Sequence, residues 1–265
     1  MHARPFLLVV ALSMLLPACR PETVDLVYRF PEGSTLRYEL VSAVKASWDL
    51  EGREPDEGSY RVAFDLTETV ESADQDGAIV SLDLTRTSVE EDNFPPPDSS
   101  SMTVGVATNG SVVEIVEVDD VPAGFIEPER RSIIRTYRPQ LAAEPVRLYQ
   151  EWPAEQGFQG PESEQVSLVG KLEGLDTDDQ GDFAKLRFRG SGPLIGTAEV
   201  AEDTADLDGE LRTNIEAMID LEEGVLRSSS SITTYDFDVS VTPQDATNPI
   251  TGTLHIEETL ELRRV

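Results

Sequence analysis

Leu211, Thr213, Ile215, Ala217, Ile219 and Leu221 alternate with Arg212, Asn214, Glu216, Met218 and Asp220. An extended chain sends successive side chains to opposite faces, so this period of two predicts a long strand with one buried and one wet face. Such a strand cannot stand alone, because its backbone groups need partners and its apolar face needs cover. The same alternation recurs in Tyr60, Val62, Phe64 and Leu66, in Val80, Leu82 and Leu84, in Tyr235, Phe237, Val239 and Val241, and in Leu254, Ile256, Leu260 and Leu262. The chain therefore reads as mainly β, with long antiparallel strands.

Turn chemistry divides these strands. Asn109-Gly110 between Met102–Thr108 and Ser111–Val118 supplies the positive φ angles of a tight hairpin, and Pro31–Ser34, Gly52–Gly58, Asp74–Gly77 and Glu222–Gly224 punctuate the rest. Val24–Phe30 and Thr35–Leu50 read as the first two strands, and Phe94–Ser101, with three consecutive prolines, as a surface loop. DQDGAIVSLDLTRTS at Asp74–Ser88 is echoed by DQGDFAKLRFRGSG at Asp179–Gly192, an acidic turn followed by alternating apolar residues. Between the two β regions, Pro128 and the spacing of Ile133, Ile134, Tyr137 and Leu141 predict a short helix near 127–138, followed by an extended arm from Pro145 to Trp152. The expected architecture is a curved sheet or half-barrel of two similar halves, 24–121 and 161–265, joined by a crossover over 122–160.

The first residues are of another kind. Arg4 precedes an apolar run from Phe6 to Leu16, shorter than the roughly 20 residues of a membrane span, and the run closes on Leu16-Pro17-Ala18-Cys19, which holds the single cysteine. This stretch resembles the signal peptide and processing site of bacterial lipoproteins, with Pro17 departing from the usual small or β-branched residue. The resemblance implies removal of 1–18, diacylglycerol on Cys19 and a tether over 19–23. It also implies residence at the extracytoplasmic face of a cell membrane, or of the outer membrane where a cell has two.

Charge narrows the partners. The chain holds 21 Lys and Arg against 51 Asp and Glu, a formal net charge of −30, and without Arg4 the remainder carries 20 − 51 = −31. Such a surface repels phosphate backbones, which excludes nucleic acid as a partner, and it repels anionic headgroups, so the lipid alone is expected to hold the body at the membrane. His2 falls in the removed segment and His255 lies on the polar face of the last strand, so zinc and thiol chemistry lack ligands or nucleophile, and a serine triad would have to use His255 with no G-x-S-x-G stretch to support it. Asp176–Asp182 opens like a calcium loop, but Arg187 stands where the closing bidentate acid would be needed. No cofactor or metal is expected, and no enzymatic activity.

Two sets of residues stand out. Arg130, Arg131, Arg135 and Arg138 lie on the expected helix, a basic island that either faces an anionic headgroup or acidic partner or pairs with neighbouring carboxylates. Tyr60, Phe64, Phe188, Tyr235 and Phe237 fall on the apolar faces of the strands. The long strands and the Glu144–Trp152 arm resemble, distantly, the half-barrel of LolA- and LppX-type lipid or lipoprotein carriers. That likeness implies that these aromatics line a concave face holding a hydrophobic ligand. The residues themselves leave open a carrier and a surface structural or interaction module whose sheet is filled by its own side chains.

Overall fold

The computed structural model describes residues 23–90, 98–119, 138–157, 165–200, 203–242 and 249–265. Thirteen strands account for most of them: β1 (Thr23–Val24), β2 (Thr35–Leu50), β3 (Asp56–Ala73), β4 (Gly77–Glu90), β5 (Ser99–Ala107), β6 (Val112–Asp119), β7 (Val146–Arg147), β8 (Glu151–Gly157), β9 (Gln165–Asp178), β10 (Gly181–Val200), β11 (Asp203–Asp220), β12 (Leu226–Thr242) and β13 (Ile250–Arg264). Eleven form one antiparallel sheet in the order β6-β5-β4-β3-β2-β13-β12-β11-β10-β9-β8. Two consecutive meanders are thus sewn together by the last strand pairing with the first long one, Leu262 opposite Leu40 and Ile256 opposite Ala46. The sheet is curved and does not close.

Period-two alternation explains the curvature. Each long strand turns its apolar residues to one face, and a single buried cluster draws on Leu82 and Val104 near one edge, Trp152 and Leu168 near the other, and Leu40, Ile215 and Leu262 between. Strands so far apart in the sheet share one core only because the sheet bends round it. The echoed segments occupy equivalent places: β4 is third from the β6 edge and β10 third from the β8 edge, each following a tight turn.

Two sequence expectations need correction. Val24–Phe30 is not a strand of the main sheet. Only Thr23–Val24 is paired, to Val146–Arg147 in a separate two-stranded ladder, and the chain then crosses the inner face to Gly224. Its apolar residues serve as filling, with Leu26 and Tyr28 buried. The proline-rich loop is also shorter than expected, since β5 already begins at Ser99. The helix expected near 127–138 falls on 120–137, outside the described residues. Arg138 itself lies in a bend, and no helix occurs among the described residues.

Six register shifts interrupt the ladders. In β6 two of them fall close together, leaving Val113 and Val116 without a partner on β5. The repeat Val113-Glu114-Ile115-Val116-Glu117-Val118 has period three, and the bulges absorb the surplus residue of each triplet. Gly105 gives the room: a Cβ there would sit 2.8 Å from Glu114 Cγ and 3.1 Å from Val113 Cγ2.

Candidate functional site

The inner face of the curved sheet is the site with most chemistry, and the chain fills one end of it. The turns Asp74–Gly77, Asn109-Gly110, Asp178–Gly181 and Leu221–Val225 gather at that end, where β2 starts and β13 stops. The strand ends flanking 91–97, 158–164, 201–202 and 243–248 all lie at the other.

A plug of two segments closes the first end. Tyr28 donates its backbone N–H to Thr108 O at 2.8 Å and its hydroxyl to Pro139 O at 3.3 Å. Leu141 N–H donates to Asn109 O at 2.7 Å, and Trp152 Nε1 donates to Gln140 O at 3.2 Å. Leu141, Ala142 and Val146 are buried beneath the sheet with Leu26 and Tyr28. Burial pushes the Tyr28 and Tyr38 hydroxyls far above the ordinary tyrosine range, so both are neutral donors at any physiological pH.

An ion pair stands at the centre of the plug. Arg138 Nη2 donates to Glu68 Oε1, and both side chains are almost wholly buried. The guanidinium carbon lies 4.9 Å from the Tyr28 ring centroid and 4.8 Å from that of Phe30. Desolvation opposes the charge on Arg138, and the Glu68 carboxylate overcomes it, holding the guanidinium above its usual range. Of the basic island, Arg138 is therefore not offered to a partner. It is sandwiched between aromatic rings and neutralised inside the fold, because a cation on the covered face of a sheet needs a counter-charge. Arg130, Arg131, Arg135 and Cys19 lie outside the described residues.

The five aromatics do not form one lining. Phe188 is fully buried against Trp152, edge to face at 5.7 Å between centroids, and Phe64 is buried in the same cluster. Phe237 belongs to a second, smaller cluster toward the other end with Ala205, Val239 and Val241. Half-buried Tyr235 bridges the two clusters, stacked on Phe237 at 6.3 Å, and its hydroxyl donates to Glu258 Oε2 at 3.2 Å. Burial, then the Glu258 charge, raise its pKa far above the tyrosine range. Half-buried Tyr60 packs against the larger cluster.

Sequence reading passed over Glu68 and Glu258. Each interrupts an apolar register, Glu68 after Tyr60, Val62, Phe64 and Leu66, and Glu258 between Ile256 and Leu260. An acid in the core-facing frame of a strand is the signal that would have found them.

The outer face is settled differently. Arg227 fills a bulge between β11 and β12, where its Nε and Nη2 donate to Asp220 Oδ2 at 3.0 and 2.6 Å, Nη1 to Asp178 Oδ1 at 2.9 Å and Nη2 to Gln180 O at 3.1 Å. The turn that opens like a calcium loop is thus an anchored hairpin, with Asp176 paired to Lys185 at 2.6 Å and Asp182 accepting from Thr177 at 2.5 Å. His255 is exposed, its Nδ1 2.7 Å from Asp236 Oδ1, with Ser47 opposite on β2. Among the described residues no group of three or more His, Cys, Asp or Glu is arranged to hold a metal, and no helix is long and apolar enough to cross a membrane.

Nothing matches the chain significantly among protein-family models or curated proteins.

Proposed function

We propose that this is a membrane-anchored, extracytoplasmic lipoprotein, attached through Cys19, whose β body serves as a surface structural or interaction module. The observation that supports a module over a carrier is the plug. Tyr28, Leu141, Val146 and the Arg138–Glu68 pair occupy the inner face where a hydrophobic ligand would otherwise lie. Phe64 and Phe188, two of the aromatics a carrier would present to its cargo, are spent on internal packing. The net charge of −30 favours basic protein partners over nucleic acid.

The second reading, a binder of a lipid or other hydrophobic molecule, draws support from the other end of the sheet. Leu50, Leu194, Leu207, Leu254 and Ile256 are only half-buried beside Phe237. A ligand there would bury their remaining apolar area at roughly 25 cal/mol per Å².

Mass spectrometry of the full-length protein made in a lipoprotein-processing bacterium, under native and denaturing conditions, separates these readings. A diacylglycerol adduct that disappears in Cys19→Ala, with no further mass released on denaturation, is the result expected for a module. A released hydrophobic mass would transfer the assignment to the carrier, and an unmodified Cys19 would overturn the anchor.

A further inference from the structure

We propose that the corner Arg147–Gln150, with Val169 and Lys171 beside it, is a lipid-facing contact that seats the body on the bilayer next to its anchor. This rests on the lipid-anchored reading and goes beyond it, since that reading has the lipid alone holding an acidic body at the membrane.

The path of the chain brings the corner to the anchor. Thr23 is paired with Arg147 and Val24 with Val146, so the main chain four residues past Cys19 is pinned to β7. Paired Cα atoms in such a ladder are about 5 Å apart, and four extended residues reach at most about 14 Å. Whatever holds Cys19 therefore lies close to Arg147.

The corner is built unlike its surroundings. Leu148 and Tyr149 are 43% and 66% exposed at successive positions, and Val169 is 48% exposed on the adjoining strand. Tyr149 has φ +65°, the only non-glycine positive φ among the described residues. Its N–H donates to Leu172 O at 2.7 Å, while Gln150 N–H donates to Arg147 O at 2.9 Å and Gln150 Oε1 accepts from Arg147 N–H at 3.0 Å. These bonds lock a bend that displays a leucine and a tyrosine outward at a cost in backbone conformation.

Charge at the corner departs from that of the protein. Exposed Arg147 is Thr23's partner, Lys171 Nζ lies 5.8 Å from the Tyr149 ring centroid, and exposed Arg189 stands opposite Val169. Against these three cations stand Glu151, opposite Lys171, and exposed Asp25 and Glu144. In a chain of net charge −30 this is a near-neutral, apolar and aromatic surface that carries its own cations. Tyrosine favours the boundary between headgroups and acyl chains, and lysine and arginine can bury their stems there while reaching phosphate. Screening over about 8 Å at physiological salt leaves these near charges dominant over the distant acids. A second copy is the poorer occupant, because it would bring another acidic body against the first.

The test uses full-length lipidated protein in phosphatidylcholine vesicles doped with a phospholipid carrying a photoactivatable carbene precursor near its headgroup, with adducts mapped by mass spectrometry. Per residue, Arg147–Trp152 should collect about tenfold more adduct than the exposed Glu51–Arg53 turn. The double variant Leu148→Glu and Tyr149→Glu should reduce that labelling about fivefold while Cys19 stays acylated. Acylated Cys19 with adduct confined to residues 19–22 would overturn the contact and leave the anchor standing. An unacylated Cys19 would overturn both, and undiminished labelling in the double variant would remove Leu148 and Tyr149 from the contact.

Discussion

Replacing Arg138 with methionine tests the claim that the plug is organised by a buried ion pair. The substitution keeps most of the apolar stem between Tyr28 and Phe30 and deletes the charge. Glu68, 1% exposed, is then a buried carboxylate without its cation. Stranding one member of such a pair costs about 3–5 kcal/mol, and the lost attraction of the guanidinium for two aromatic faces adds about 1 kcal/mol. At about 2–4 °C per kcal/mol for a domain of this size, a loss of about 4–6 kcal/mol lowers Tm by about 8–24 °C. Scanning calorimetry measures this directly. Glu68→Leu combined with Arg138→Met should recover to within about 2 kcal/mol of the native protein, because both charges leave together. A single variant losing under about 1 kcal/mol, or a double variant as unstable as the two singles summed, would refute the reasoning.

Other outcomes follow from the outer face and the core. Burial opposes the Asp220 charge, but the Glu223 and Glu222 N–H groups and Arg227 together lower its pKa below the ordinary carboxylate value. A depressed carboxylate contributes stability above its unfolded pKa of about 3.9 and loses it as pH falls through the folded value. Asp220→Asn should therefore cost about 2–4 kcal/mol in denaturant unfolding at pH 7 and progressively less below about pH 4; a pH-independent difference would sink the assignment. Gly170→Ala would drive a methyl into the Trp152 indole and to within 2.8 Å of Phe188 Cε1. It should destabilise by about 1–3 kcal/mol and alter Trp152 fluorescence, whereas native stability and emission would show that the β8 edge packs more loosely.

Much of the sheet was legible because a strand's two faces are written into a period of two. Leu211–Ile219 and Tyr235–Val241 lie in β11 and β12 with their apolar sets inward, Leu221 falls in the turn after β11, and Asn109-Gly110 turns β5 into β6. The frame failed where a bulge or an odd residue broke it. Arg227 leaves the alternation at a bulge and finds Asp220 and Asp178 on neighbouring turns. Val24–Phe30 has a strand's composition yet fills the groove, since composition does not say which edge is free to pair.

By itself the sequence determined that the chain is an acidic β protein of long antiparallel strands, because alternation, turn residues and net charge act over a few neighbours. Only the tertiary structure decided that β13 joins β2, that the sheet bends round one core, and that Arg138 meets Glu68 seventy residues away. Those outcomes depend on which distant faces pack together, and the partner of a buried charge is chosen by packing among all the strands at once.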